Sequence, residues 1–338
     1  MKAVCIKCGR QRTSHDLFCS CGSVFDLKPD FKYRSEMQEN FPYIKDWISL
    51  GEVQTPMVQA GDFSMKLDYY HPTFSYKDRG SRTLVSYLKT FLPEGSEISE
   101  DSSGNAGASI AAYGKRAGYR VNIFTSVNAA PGKLKQIKAY GARIHRISGT
   151  RDDVAKAARE SQGYYASHVL NPEFRDGIRS LAYEVADQLG YRMDCSIFLP
   201  VSAGTLLLGM ISGLNHLIDS GEINEMPEIV AVQPESVSPL ASRLLGIPFD
   251  PENTLPNVAD ALVSKKPPLL DLMVSRVGKN ARGVVVNDNE IISAMNELHS
   301  SGYLVEPSSA TVLAAYRKYR GKGKPVLILT GNGLKTLT

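Results

Sequence analysis

From about residue 85 the chain alternates between two rhythms of apolar and polar positions. Short β-branched or aromatic runs predict buried strands at 120–126, 143–147, 196–199, 228–232 and 325–330. Between them, apolar residues recur every three to four positions, which places them on one side of a helix. That spacing predicts helices at 106–116, 133–140, 152–161, 176–189, 204–216 and 310–319, the first two stopped by Gly118 and Gly141. Strands that alternate with helices make parallel sheets covered on both faces, and their ligands lie where strand ends meet helix N-termini. The first fifty residues are irregular, with Pro29 and Pro42 as breakers. Residues 196–214 carry no charge, but Pro200, Gly204 and Gly209 divide them into a strand, a loop and a helix rather than a membrane span.

Composition narrows this picture a little. A chain of 338 residues has room for two packed domains, and 43% hydrophobic with 22% charged residues is ordinary for a soluble protein. The formal charge of +4 is dispersed and lacks aromatic-basic interleaving, so nucleic acid is not an expected partner. The start, MKAVCIKCGR, has no apolar leader, and the cytoplasm is the expected location. There is no Walker loop, no HExxH and no GxGxxG after a strand.

The cysteines change more. Cys5, Cys8, Cys19 and Cys21 lie within the first 21 residues as C-x2-C, ten residues, then C-x-C. In a reducing compartment this clustering points to metal rather than to disulfides. Gly9 and Gly22 follow each pair, where a tight turn needs a residue without Cβ. Four thiolates brought together suit a structural zinc ion; the alternative is a ribbon that has lost its metal. Cys195, ahead of an apolar strand, reads as a core residue.

Four small-residue turns carry the candidate chemistry. The first, HPTFSYKDRG at 71–80, places Lys77 at the start of a helix. A free lysine there has the wrong sign for the helix dipole, an objection that a Schiff base on its amine largely removes. The ordinary alternative is a solvated surface lysine. The second, DSSGNAGA at 101–108, and the third, PVSAGT at 200–205, each run into a helix and offer backbone N–H groups to an anion. Simple N-capping or an ordinary strand-to-helix turn would explain either one alone. The fourth, LTGNGLK at 329–335, puts the hydroxyl of Thr330 at a strand end, where it suits a neutral ring nitrogen.

Together and in this order, the turns resemble those of the fold-type-II, tryptophan-synthase-β-like pyridoxal-phosphate enzymes, and most of all the threonine synthases. Members commonly show NPTGSFKDRG where this chain has HPTFSYKDRG, and SSGNAG stands intact at 102–107. SLGEVQTP at 49–56, Asn171-Pro172 followed by Gly177, EPSSA at 306–310 and TGNGLK at 330–335 extend the likeness over nearly the whole chain. The resemblance implies an α/β fold: two parallel-sheet α/β domains with pyridoxal 5'-phosphate in the cleft, plus a zinc-ribbon-like segment at 1–28. The large cofactor-binding domain would comprise 29–96 and 186–338, and the smaller mobile domain 97–185.

It further implies that Lys77 carries the cofactor and acts as the base at Cα. Asn105 would face the phenolic oxygen, and Ser202, Ala203, Gly204, Thr205 and Leu206 would hold the phosphate. Thr330 would meet the pyridine nitrogen. Ser102, Ser103 and Gly104 would take the substrate carboxylate, with Ser75, Arg175 and Arg179 about the rest of the substrate. The implied reaction turns O-phospho-L-homoserine and water into L-threonine and phosphate. Threonine dehydratase and cysteate synthase fit the cofactor loops equally well. A small amino acid is the expected partner, with no membrane, in a monomer or a homodimer that has no room for a regulatory domain.

Departures from the family pattern gather at the substrate end. Phe74 replaces a glycine three residues before the lysine, and Val53 replaces another. Phe174 stands where many members carry an arginine that helps hold substrate phosphate, with Arg175 one place along. Arg179-Ser180 replaces the usual Lys-Thr. Arg175 and Arg179 are therefore the first candidates for a substrate phosphate, ahead of Arg79 and Arg82, helped by Ser75 and Thr73.

Overall fold

The computed structural model describes residues 1–129 and 131–336. In chain order, the first strands are β1 (Lys2–Cys5), β2 (Phe25–Lys28), β3 (Met57–Ala60) and β4 (Phe63–Leu67). Next come α1 (Lys77–Leu88), β5 (Glu97–Glu100), α2 (Asn105–Arg116), β6 (Arg120–Ser126), α3 (Pro131–Ala139) and β7 (Arg143–Ile147). They are followed by α4 (Arg151–Glu160), β8 (Tyr164–Tyr165), α5 (Pro172–Gln188), β9 (Ser196–Pro200), α6 (Thr205–Ser220) and β10 (Glu228–Pro234). The last are α7 (Pro239–Leu245), α8 (Leu270–Val277), β11 (Ala281–Val286), α9 (Asp288–Ser300), α10 (Pro307–Lys318) and β12 (Val326–Leu329).

Packing groups the chain into two units, one of residues 1–53 and 71–178, the other of residues 54–70 and the chain from Arg179 onward. These units differ from the expected domain segments in taking 29–53 and 71–96 away from the C-terminal half.

The first unit contains a hairpin and a parallel sheet. β1 and β2 pair antiparallel, with Cys5 opposite Phe25, over a small core of Ala3, Cys5, Cys19, Phe25 and Leu27. The sheet has the order β7-β6-β5-β8, and every pairing in it is parallel. α2 lies close on this sheet: a Cβ on Gly114 would come within 2.7 Å of Val121 and 2.9 Å of Ile98. Because the strands run one way, their carboxyl ends share an edge, and the loop after Glu100 opens there.

The second unit has a six-stranded sheet in the order β11-β10-β9-β12-β4-β3, parallel except for the antiparallel β3–β4 pair. Its core includes Phe198, Val230, Val232, Leu313, Leu327 and Leu329. Lys66 is fully buried on β4, where its amine donates to Thr55 O at 2.7 Å and to Glu184 and Gln188 at 2.8 Å. Such a charge tolerates burial because every proton has an acceptor.

The strands expected at 120–126 and 143–147 are β6 and β7, with those bounds. Two helices start earlier than their apolar spacing indicates, α5 at Pro172 and α10 at Pro307. Proline fits the first helical position, which has no partner for an N–H, so the polar first turn is helical without an apolar signal. β3 and β4 were not foreseen, since each is short and they meet at a turn. No helix among the described residues is long and apolar enough to cross a membrane.

Candidate active site

Lys77 is the first residue of α1, half-buried, with its amine 4.7 Å from the centre of the Tyr76 ring. The loop before it is fixed by Asp78, whose carboxylate accepts Thr73 N–H at 2.7 Å, the Thr73 hydroxyl, and the Ser109 hydroxyl of α2 at 2.6 Å. Burial pushes this carboxyl above its ordinary range, while its three donors pull the other way. Ser75 is fully buried, and its hydroxyl has no hydrogen-bond partner among the described residues. An orphaned hydroxyl two residues from the lysine fits a polar ligand there. Phe74 adopts φ +65°, the left-handed region, with its ring 47% exposed. The backbone thus keeps the conformation for which related enzymes use glycine, at a cost of about 1–2 kcal/mol.

Two helix starts provide cradles for anions. α2 begins after Gly104 without a side-chain cap, and Ser102–Asn105 are all half-buried. The Ser102 carbonyl lies where a Cβ on Gly107 would be, 1.9 Å away, so only glycine lets the turn fold onto the helix. In the second unit, α6 also starts without a side-chain cap, after Gly204 at φ +97°. Ser202 and Ala203 are half-buried beside it, and Gly204, Thr205 and Leu206 are buried. Uncapped N–H groups at a helix start hold a phosphate.

At the end of β12, Thr330 shares a hydroxyl network with Ser309: their oxygens are 3.1 Å apart, and Ser309 Oγ also accepts the N–H groups of Thr330 and Gly331 at 3.0 and 2.8 Å. A pair of neutral hydroxyls suits an unprotonated pyridine nitrogen. Within each unit the residues therefore fit their share of pyridoxal phosphate: an amine and an anion turn in the first, an anion turn and neutral hydroxyls in the second.

The arginines are engaged with protein. Arg175 is buried and donates to Val169 O at 2.6 Å, Leu170 O at 3.3 Å and Phe25 O of β2, with Asp26 3.8 Å away. Arg179, in the second unit, is fully buried against Tyr183 and lies 3.1 Å from His216 Nδ1. Arg82 bonds Ile48 O at 3.2 Å, lies 3.4 Å from Glu52 and covers the Trp47 ring. Arg79 is buried in the first turn of α1, and its carbonyl accepts from Thr83. Phe174 fills the space over Gly80, whose Cβ would lie 2.4 Å from its ring. On either side of Phe174, α5 grips the N-terminal hairpin region: Glu173 forms a buried ion pair with Arg12, and Arg175 holds β2.

Sequence reading passed over three residues of interest. Ser309 lies within a matched motif but was given no role, since its proximity to Thr330 is a product of sheet packing. Glu100 and His168 form a buried pair next to Asp101. Two adjacent acids, Glu100 and Asp101, were the available signal; the histidine 68 positions on from Glu100 was not readable as their partner.

The four cysteine sulfurs lie within 4.8 Å of one another, with Cys5–Cys21 at 3.4 Å and Cys8–Cys19 at 3.6 Å. A tetrahedron with bonds of about 2.3 Å has edges near 3.8 Å, so this cluster can hold a metal ion. Gly9 and Gly22 both take positive φ in the turns. Burial works against the Cys5 thiolate, but backbone N–H groups of Cys8 and Lys7 and the neighbouring thiols lower its pKa to about 6.

A threonine synthase of Methanocaldococcus jannaschii is 26% identical over 98% of this chain and 92% of its own. One from Mycobacterium bovis is 29% identical over 88% of this chain and 87% of its own. Among solved structures, a pyridoxal 5'-phosphate-dependent aspartate racemase superposes with a TM-score of 0.73 at 19% identity, covering 90% of this chain and 97% of that one. The processed form of threonine deaminase isoform 2 from Solanum lycopersicum gives 0.69 at 18% identity, covering 90% and 87%. The profile of the pyridoxal-phosphate dependent enzymes matches residues 48–331, most of the chain, with the first three turns and the start of the fourth, and the protein belongs to that family.

Proposed function

We propose that the chain converts O-phospho-L-homoserine and water into L-threonine and phosphate. The observation that carries this reading is the likeness to threonine synthases, which spans 98% of the chain and so includes the cysteine-bearing N-terminus. The bound cofactor would supply a ring that stabilises charge at the substrate Cα. Lys77 would hold it and move the proton at Cα. Asn105 would bond its phenolic oxygen, residues 202–206 would bind its phosphate through N–H groups, and Thr330 with Ser309 would meet the ring nitrogen. Ser102, Ser103 and Gly104 would orient the substrate carboxylate. Zinc is the metal proposed for Cys5, Cys8, Cys19 and Cys21, with a structural role, since four protein thiolates leave no position for a reacting water.

A second reading is favoured by Phe174 and by the engaged arginines 175 and 179. It gives the substrate no phosphate and makes the reaction a dehydration of threonine or serine; cysteate synthesis from phosphoserine and sulfite is a third reaction with the same cofactor loops. Steady-state kinetics with phosphohomoserine, threonine, serine, and phosphoserine plus sulfite decide among them. Phosphate release with threonine formation from phosphohomoserine is the expected result. A preference for threonine, with phosphohomoserine inert, would replace the first reading by the second.

A further inference from the structure

The first unit's parallel sheet ends in a group of side chains that the cofactor-holding residues leave unused. β5 closes with Glu100, and His168 lies three residues beyond β8, the neighbouring strand. Both stand past the carboxyl ends of parallel strands, the edge where ligands of α/β sheets bind. Glu100 is fully buried and spends both oxygens on one residue: Oε2 accepts the His168 N–H at 3.0 Å, and Oε1 lies 2.7 Å from Nδ1. Asp101 is held by the Tyr165 hydroxyl at 2.7 Å and Arg151 at 2.5 Å. The three groups lie close enough together to bind a metal, but their carboxylate oxygens already have protein donors and a guanidinium stands among them. What is left is Nε2 of His168, which bonds to no described residue, on a side chain 13% exposed. The same ring meets Phe174 edge-on, with centroids 5.9 Å apart, and Phe174 packs on Gly80 in the helix turn that begins at Lys77.

We infer that His168, held in place by Glu100, is a catalytic acid–base residue facing the group that leaves the substrate. The inference rests on the elimination and hydration reading above. When the bond from carbon to the departing oxygen breaks, that oxygen takes the electron pair and the Nε2 proton. The water that later adds gives its hydroxyl to carbon and its proton to Nε2, so the residue ends as it began. Glu100 acts through His168 as a positioning residue. Burial drives the Glu100 carboxyl up and the His168 imidazole down, and both directions favour a pair of zero net charge with one proton between them and one on Nε2. Asp101, Arg151 and Lys77 are the charged groups acting on this pair, and the two cations offset the negative charge left after donation.

The test uses holoenzyme as wild type, His168→Gln and Glu100→Gln. His168→Gln should retain the visible absorbance of the lysine-bound cofactor and the melting temperature. It should lose about 10²–10⁴-fold in kcat on phosphohomoserine, the usual span for acid–base residues, because the phosphate dianion would otherwise have to depart as a trianion. Glu100→Gln should displace the pH profile of kcat rather than only lower its maximum. The ¹⁵N resonance of His168 Nε2 should shift when an amino-acid substrate binds. A loss of less than about tenfold in kcat, or an Nε2 resonance indifferent to substrate, would overturn the inference. If wild type turns over neither phosphohomoserine nor threonine while Nε2 still responds to bound amino acid, the reaction reading fails and the placement of His168 stands.

Discussion

The loops at 71–80 and 101–107 and the segment 166–175 belong to the same unit but have been treated differently. In the two loops the residues that would face the cofactor keep the family pattern, and the one large replacement, Phe74, itself takes a left-handed backbone at φ +65°. In 166–175 the chemistry is rebuilt: Phe174 is packed on Gly80, Arg175 is turned to the N-terminal hairpin, and His168 is fastened to Glu100. A cofactor common to many reactions would constrain the first region, because the aldehyde that Lys77 would hold and the phenolic oxygen that Asn105 would face never change. The second is free to follow the substrate.

The largest effect expected from breaking this comparison lies in the first loop. Lys77→Ala should abolish both turnover and the visible absorbance of bound cofactor, read by spectrophotometry after reconstitution. A yellow, active variant would remove Lys77 from its role. Next is the cysteine cluster, for which elemental analysis of protein purified without chelator should find one metal ion per chain. Its removal, or Cys19→Ser, should lower the melting temperature by many degrees; an unchanged melting curve would leave the cluster without a structural duty.

The hairpin's grip on α5 comes third. Glu173→Gln leaves Arg12 buried without its charge partner and should cost about 3–5 kcal/mol in denaturant unfolding, because the remaining charge has lost its compensation. A loss below about 1 kcal/mol would mean that the pair is better solvated than its burial indicates.

The Glu100–His168 pair predicts a pH window. Glu100 has a folded pKa above its ordinary 4.5, so its contribution to stability is complete below 4.5 and is lost as pH rises through the folded value. His168 has one below its ordinary 6.5, so its contribution is complete above 6.5 and is lost as pH falls through the folded value. The two trends oppose each other where their windows overlap: the Glu100 contribution falls as pH rises from 4.5 toward its folded value, and the His168 contribution falls as pH drops from 6.5 toward its own. Chemical denaturation across pH 5–9 should show stability falling as pH rises through the folded Glu100 value in wild type and not in Glu100→Gln. The smallest effect is that of Phe74→Gly, which should stabilise by about 0.5–1 kcal/mol as relief of left-handed strain exceeds the extra freedom of an unfolded glycine. Destabilisation would show instead that the half-exposed ring packs in solution.

Much of this molecule was legible in its sequence for local reasons. Period and punctuation set β6 and β7 to the residue, because a strand's apolar run and the glycine that ends the preceding helix are written in adjacent positions. The turns at 71–80, 101–108, 200–205 and 329–335 were visible for the same reason: an anion cradle at a helix start needs small residues next to each other. The spacing of four cysteines and two glycines was enough to expect a cluster, and the sulfurs do converge.

Tertiary structure decided what depends on partners distant in sequence. Nothing local to Arg175 says that its guanidinium goes to Phe25 O, 150 positions away, or that Glu173 meets Arg12 across 161. The sequence placed an arginine near the expected substrate; only packing showed that its hydrogen bonds go to the carbonyls of Val169 and Leu170 and to Phe25 of the hairpin. Likewise Asp101 read as the start of a small-residue turn, and Glu100 had no reading, until β8 came alongside β5 and brought His168 to them. Charges and hydrogen-bonding groups reveal their work through the partner they reach, and that partner is chosen by the sheet order, which no short stretch of sequence encodes.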